Sequence, residues 1–351
     1  MSDNADLADA FQHRALTKPA ETEEDSPIDG YRVPKIDGLL DLPTLVFGCA
    51  VFSGQYNSRD HILSQEGTRA IRLGLRYGIR AFDTSRYYGP SEFVLGSILT
   101  ALKDEFPRSS YQIMTKCGRF GPYDFDYSPT RIRQCVMESL ERLQTTYLDA
   151  VYLHDVEFVA SGKILDAFAE LRKLKQEGVV RNVGIAGYPL PTLLRIAILI
   201  KNTPPSEPVD VLLSYSHLTL QNSTFNAFAP HFYERAKVKQ LLTASPLSMG
   251  LLTPTPPSWH PAPDALKLVV KDALKVAPDL PNIALGYTAR QTGIKTPLVG
   301  GFSNAREVHE CVKVWREIYE SKDGSVRVQQ EKDVIELFEK SQYLDWSWKS
   351  P

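Results

Sequence analysis

The chain has 351 residues, 43% hydrophobic and 23% charged, with Lys+Arg 40 against Asp+Glu 42 and a net charge of −2. That balance excludes a dedicated nucleic-acid or acidic-membrane binder, and a chain of this length buries a core without a disulfide or metal staple. Cys49, Cys117, Cys135 and Cys311 form no CxxC pair and no clustered Cys/His set, so no metal is expected and the thiols read as those of an intracellular protein.

In chain order, residues 1–30 are polar and acidic, with ETEED at 21–25, and read as a mobile extension. The period of residues 7–16 also permits a short amphipathic helix. No secretory signal opens the chain, SWKSP at its end carries no targeting signal, and no apolar run reaches the ~18 residues of a membrane span. The expected location is cytoplasmic, with neither membrane nor nucleic acid as a partner and a monomer or homodimer as the assembly.

From residue 42 short β-branched runs alternate with longer runs of helical period. The strand-like runs are LPTLVFGCA (42–50), GIRAFDT (78–84), YQIMTKC (111–117), LDAVYLHD (148–155), VVRNVGIAG (179–187), VDVLLSYS (209–216), KQLLTASPL (239–247) and KTPLVGGFS (295–303). Helical runs are GTRAIRLGLRYG, a helix opened by Ser128-Pro129, ILDAFAELRKLKQEG, LPTLLRIAILIKN, a helix near 230–238, NIALGYTARQTG and NAREVHECVKVWREIY. Eight βα repeats over this length predict a closed (β/α)8 TIM barrel at 31–325, with the short N-terminal extension at 1–30 and a C-terminal helix and tail at 326–351. A doubly wound sheet would want a GxGxxG turn after its first strand, and FGCAVFSGQ lacks one.

In such a barrel chemistry sits at the C-terminal ends of the strands. Four of those ends are polar: Asp83, Lys116, His154 and Ser214. Each has a plain structural reading. Asp83 could cap a turn, Lys116 could reach the surface, and His154 could be a satisfied core histidine. Tyr88, five residues after Asp83, could simply pack beside Tyr87.

Together with DTSRYYG (83–89), Glu92 and Gly96, TKCG, LHD, SPLSMGLL and GGFSNAREVHEC, these residues resemble the aldo-keto reductases, whose active-site signature is commonly D-T-A-x-x-Y-G-x-x-E. GIAGYPL, LLSYSHLTLQNST, ASPLSMGLLT and PPSWHPAP resemble the sugar-dehydrogenase branch, that of the L-galactose and D-arabinose dehydrogenases. The resemblance implies a catalytic set of Asp83, Tyr88, Lys116 and His154 and an NAD-dependent oxidation of an aldose at its anomeric carbon to a lactone. Tyr88 would be the acid/base. An ammonium ~4 Å from a phenol contributes up to ~4 kcal/mol at a dielectric of ~20, about three pKa units, so Lys116 is expected to make Tyr88 acidic. Asp83 would keep Lys116 charged, and His154 would orient the reacting oxygen.

The resemblance further implies cofactor contacts from Gly48, Ser214, Ser245, Leu247, Met249, Gly301, Phe302, Ser303, Glu307, Glu310 and Cys311. Glu307 stands where NADP-using members often carry arginine, and Gly301 where they often carry lysine, so NAD is expected in preference to NADP. Arg306 could meet a phosphate only after a one-residue shift. The positions that usually hold the nicotinamide read Ala186, Gly187, Leu212 and Ala244, which leaves Ser214 as a candidate. Substrate-loop candidates are Tyr56, Phe120, Tyr123, Tyr127, Trp259 and His260, since aromatic platforms suit the apolar faces of sugars. Two alternatives accompany this reading: an NADP-dependent aldehyde or ketone reductase, and a barrel acting as a binding subunit with little catalysis.

Overall fold

The structure is a computed structural model and describes residues 10–11, 16–36, 38–292, 295–320 and 324–348. Eight parallel strands close into a barrel: β1 (Leu45–Gly48), β2 (Ala81–Asp83), β3 (Gln112–Cys117), β4 (Ala150–His154), β5 (Val183–Gly187), β6 (Val211–Tyr215), β7 (Gln240–Ala244) and β8 (Leu298–Gly301). The ring closes where β8 meets β1, with Leu45 opposite Leu298 and Gly48 opposite Gly301. Every strand falls inside the run that the sequence marked for it.

Side-chain parity along the strands explains what the barrel presents. Ala81, Met114, Ala150 and Tyr152 pack inside the barrel. Their neighbours Phe82, Ile113, Val151 and Leu153 pack outward under the helices. Two residues on from Ala81, Met114 and Tyr152 stand Asp83, Lys116 and His154. The alternation therefore turns those three polar groups inward at the C-terminal rim.

The surrounding helices are α1 (Arg59–Leu63), α2 (Glu66–Tyr77), α3 (Ser91–Ala101), α4 (Pro129–Arg142), α5 (Ser161–Gln176), α6 (Leu190–Asn202), α7 (Phe225–Glu234), α8 (Asp264–Val276), α9 (Leu280–Thr292), α10 (Ala305–Tyr319) and α11 (Ser325–Lys340). The helix expected near 230–238 begins earlier, at Phe225, and carries Pro230 inside. α8 is an additional helix between β7 and α9. In α3, the buried Glu92 accepts from Thr115 Oγ1 and Arg142 Nε, both at 2.6 Å. Gly96 lets α4 approach, for a Cβ there would stand 2.3 Å from the Arg142 carbonyl oxygen.

The acidic extension is not loose over its described part, contrary to the sequence expectation. Asp25 is buried against Arg69 and Arg72, with Arg72 Nη2 at 2.8 Å, and Arg72 Nη1 also donates to Pro19 O. Ala10 and Phe11 are helical, and Phe11 is buried. The remainder of the helix considered over 7–16 lies mainly outside the described residues. At the other end, Gln221, Asn222 and Ser223 hold residues 343–347 by hydrogen bonds and so bring the tail to the C-terminal face of the barrel.

All four cysteines are buried and unpaired. Among the described residues no group of His, Cys, Asp and Glu could hold a metal, and no helix is long and apolar enough to cross a membrane.

Candidate active site

The four expected residues converge at the barrel mouth. Lys116 Nζ donates to Asp83 Oδ1 at 2.5 Å and to Thr84 O at 2.9 Å, and lies 4.8 Å from the Tyr88 ring centre. The Tyr88 and His154 rings meet edge to face at 5.8 Å. Burial alone would lower the pKa of Lys116, but Asp83 and Tyr88 outweigh it and hold the ammonium charged.

His154 is a neutral imidazole. Burial is the main reason, and the positive charges of Lys116 and Arg119 add to it. Its tautomer follows from hydrogen-bond direction. Ser85 Oγ accepts the Tyr87 amide and lies 3.1 Å from His154 Nδ1, where its hydroxyl can serve as donor or acceptor. Nε2 instead faces an acceptor, the Asp155 carboxylate at 3.5 Å, which favours the neutral ring with its proton on Nε2. Ser85 stands where the family signature commonly has alanine. Tyr127 is not a substrate contact, since its buried hydroxyl donates to His154 O at 2.6 Å.

One expectation is overturned. Tyr88 is not acidified: burial pushes its pKa above the ordinary phenol value, and Lys116 recovers only part. Desolvation of the phenolate exceeds the attraction of the ammonium, and the negative charges of Asp83 and Asp155 add to the rise.

The loop after β7 turns on residues in the left-handed region. Ser245, Ser248, Met249 and Gly250 all have positive φ, between 52° and 89°. The amides of Leu247 and Met249 meet no acceptor among the described residues. The Ser248 and Gly250 amides close the turn onto Ser245 O and Leu247 O, so Leu247 and Met249 are the donors available to an anion. His260 serves this loop instead of the substrate: its Nε2 bonds Ser248 O at 2.9 Å, its Nδ1 accepts from Ala262, and burial lowers its pKa to about 4.

Other assignments divide. Gly48 and Gly301 pair side by side at the β1–β8 rim, where a Cβ on Gly301 would come within 2.7 Å of Val51. Ser214 is buried, its hydroxyl 3.4 Å from His217 Nδ1. Phe302 and Cys311 turn into the core, Phe302 edge-on to Phe47 at 5.2 Å, so their side chains cannot reach a cofactor. Ser303 is engaged on every side, by Asn57 Nδ2 on Oγ, His61 on its carbonyl and Glu307 on its amide. Asn304 caps α10 by accepting the Glu307 amide, the Glu307 carboxylate accepts the Ser303 amide, and Glu310 is exposed one turn on.

Of the aromatic candidates, Tyr56 and Trp259 meet edge to face at 5.4 Å, and Trp259 Nε1 donates to Gln55 O, bridging the loops after β1 and β7. Phe120 lies beneath two guanidinium groups, those of Arg86 and Arg131. Tyr123 is 94% exposed and lines nothing. The C-terminal Trp348, for which the sequence left mouth and bottom of the barrel open, stacks at 5.2 Å on Tyr188 beside His260 at the mouth, and Tyr188 is the partner that the sequence reading missed. It also missed Arg119 and Asp155, a buried ion pair next to His154. The aspartate of LHD was the available signal.

Comparison with known proteins identifies the family. The sequence profile of the aldo/keto reductase family matches residues 44–326. D-arabinose 1-dehydrogenase of Saccharomyces cerevisiae is 39% identical over 301 residues, 82% of this chain and 89% of that protein. L-galactose dehydrogenase of Arabidopsis thaliana is 39% identical over 265 residues, 73% of this chain and 80% of that protein. Among solved structures, an aldo-keto reductase of Bacillus halodurans in its holo form matches with a TM-score of 0.62 at 23% identity, covering 88% of this chain and 96% of that chain, a likeness of fold. The chain belongs to the aldo/keto reductase family, whose members are oxidoreductases that use nicotinamide cofactors.

Proposed function

We propose that the protein oxidises an aldose of the L-galactose or D-arabinose kind at its anomeric carbon to the lactone, with NAD as the acceptor. The observation that carries this reading is the convergence of Tyr88, Lys116, Asp83 and His154 at one rim, in a chain similar over most of its length to two sugar dehydrogenases. His154 Nε2–H orients the anomeric hydroxyl by donating to its oxygen. Tyr88, as phenolate, takes the hydroxyl proton while the hydrogen on the same carbon departs as hydride. Lys116 stabilises that phenolate, and Asp83 keeps Lys116 in place. The bound dinucleotide supplies the hydride acceptor. The amides of Leu247 and Met249 would suit its pyrophosphate, and Ser245, Gly48, Gly301 and Ser214 would supply its further contacts. Glu307 disfavours a 2′-phosphate.

The test is reduced-dinucleotide formation against a panel of aldoses with NAD and NADP in parallel, for wild type and Tyr88→Phe. Turnover on an L-galactose or D-arabinose type sugar with NAD preferred, reduced at least a hundredfold in Tyr88→Phe, is expected. Turnover only with simple aldehydes and NADP overturns the reading, as does a Tyr88→Phe protein within tenfold of wild type.

A further inference from the structure

His154 and Asp155 are consecutive, and in a continuing strand their side chains would point to opposite faces. They do not, because Asp155 leaves β4 in the left-handed region, with φ 56°. Asp is one of the few side chains that tolerate this conformation. The turn carries the Asp155 carboxylate back over the imidazole, with Oδ2 3.5 Å from His154 Nε2. Nε2 is the nitrogen that carries the proton. Asp155 Oδ1 takes no hydrogen bond among the described residues, so this buried carboxylate has acceptor capacity to spare.

Arg119 meets it. Its Nη1 pairs with the same Oδ2, and both side chains are 3% exposed. The guanidinium is fixed by what surrounds it: its centre lies 4.0 Å from the Tyr87 ring centre, Nη2 donates to Tyr87 Oη and Pro122 O, and Nε donates to Gly121 O. Tyr87 in turn stands edge-on to His154 at 5.7 Å.

We propose that Arg119 is a positioning residue for His154: by occupying Asp155 it stops that carboxylate from pairing with the imidazole, which leaves the Nε2 proton to the reacting oxygen. This rests on the sugar-oxidising reading only for what the oxygen belongs to. The groups facing His154 are Asp83 at the end of β2, Ser85, Tyr87 and Tyr88 from the segment that follows, Lys116 and Arg119 from β3 and beyond, the Tyr127 hydroxyl on its carbonyl, and Asp155. Without the guanidinium, one repulsive cation is lost and a bare carboxylate is left at 3.5 Å. Both changes favour the imidazolium, and an opposite charge at that range is worth about one to three pKa units. An imidazolium bound to Asp155 would present its Nε2 proton to the carboxylate.

The experiment is the titration of the His154 ring by NMR in histidine-labelled protein, its signal assigned by loss in His154→Gln. It is run on wild type, Arg119→Lys, Arg119→Gln and Arg119→Gln/Asp155→Asn. The acid limb of kcat/KM is measured alongside on whichever substrate is turned over. The wild-type ring should titrate well below the ordinary imidazole range. Arg119→Gln should titrate at least one unit higher, with its acid limb moving alongside, and Arg119→Lys should lie between. The double variant, which removes the carboxylate's charge as well, should return to within about half a unit of wild type. The double variant also supplies the result should the single variant fail to fold, because a neutral pair strands no charge. A ring that titrates alike in all folded variants overturns the proposal, and so does a double variant displaced from wild type as far as Arg119→Gln. A wild-type protein without turnover on any sugar overturns the functional reading alone, since the ring titration needs no substrate.

Discussion

The Glu307 carboxylate folds back onto the Ser303 amide, Oε2 to N at 2.7 Å, and closes the N-terminus of α10 with a fixed negative charge. Its other oxygen accepts from Asn304 Nδ2, and Asn304 Oδ1 accepts the Glu307 amide. A helix start ordinarily attracts anions, and here the protein's own anion is already there. A 2′-phosphate arriving at this end would have to displace it. Glu307→Gln keeps the shape and drops the charge. The ratio of KM for NADP to KM for NAD should fall roughly tenfold, or about 1.4 kcal/mol. Fluorescence titration of each dinucleotide against the protein should give the same ratio without turnover. An unchanged ratio would leave Glu307 as a helix cap and nothing more.

Sugar oxidation should climb with pH. Burial holds the Tyr88 phenol above its ordinary value, and the base form is therefore scarce at neutrality. Each added pH unit raises that fraction about tenfold, so log kcat/KM should rise with a slope near one from about pH 7 to 9. The reverse reduction uses the protonated phenol and should stay flat over that range. Lys116→Met removes the cation that lowers the phenol's pKa, and should cost roughly a hundredfold or more at pH 7 while moving the rise further alkaline. A pH–rate profile in both directions checks the pair of signs.

Gly96→Ala should weaken the fold without touching the chemistry. The new Cβ would fall 2.3 Å from the Arg142 carbonyl oxygen and 2.8 Å from Leu143 Cα, both backbone atoms that have no rotamer to change. α3 and α4 would have to part, at about 1–3 kcal/mol. Thermal melting should report a lower Tm, with KM for the sugar unchanged.

The extension is held by charge. Burial acts to raise the pKa of Asp25, but the Thr22 amide and then the Arg69 and Arg72 guanidiniums bring it below the usual carboxylate range. A depressed carboxylate contributes stability above its unfolded pKa, ~3.9, which is lost as pH falls through the lower folded value. Asp25→Asn strands the fully buried Arg72. Removing one partner of such a pair costs about 3–5 kcal/mol, an upper bound here because the segment can lift and admit water. Faster proteolytic cleavage within 16–30 in Asp25→Asn, and in wild type below about pH 4, is the expected outcome.

The sequence carried the barrel because its signals are periodic. Strand parity placed Asp83, Lys116 and His154 inward, and the spacing to Tyr88 brought the phenol to them. What it missed depends on single backbone angles or on sums of opposing terms. The approach of Asp155 to His154 needs a left-handed φ that no spacing reveals. Tyr88 looked acidic because the Coulomb term was counted and the desolvation was not. His260 and Tyr127 looked like aromatic platforms, and each spends its polar atoms on its own neighbourhood. The acidic run at 21–25 looked solvated, yet Arg69, Arg72 and Arg76 form a basic stripe at helical spacing that awaited it.

The four thiols have a practical consequence. Burial raises the pKa of every one, so none is a thiolate within reach of reagent while the barrel is closed. Alkylation then becomes a clock for global opening. A variant that loses turnover yet labels as slowly as wild type has lost its chemistry, and one that labels fast has lost its shell.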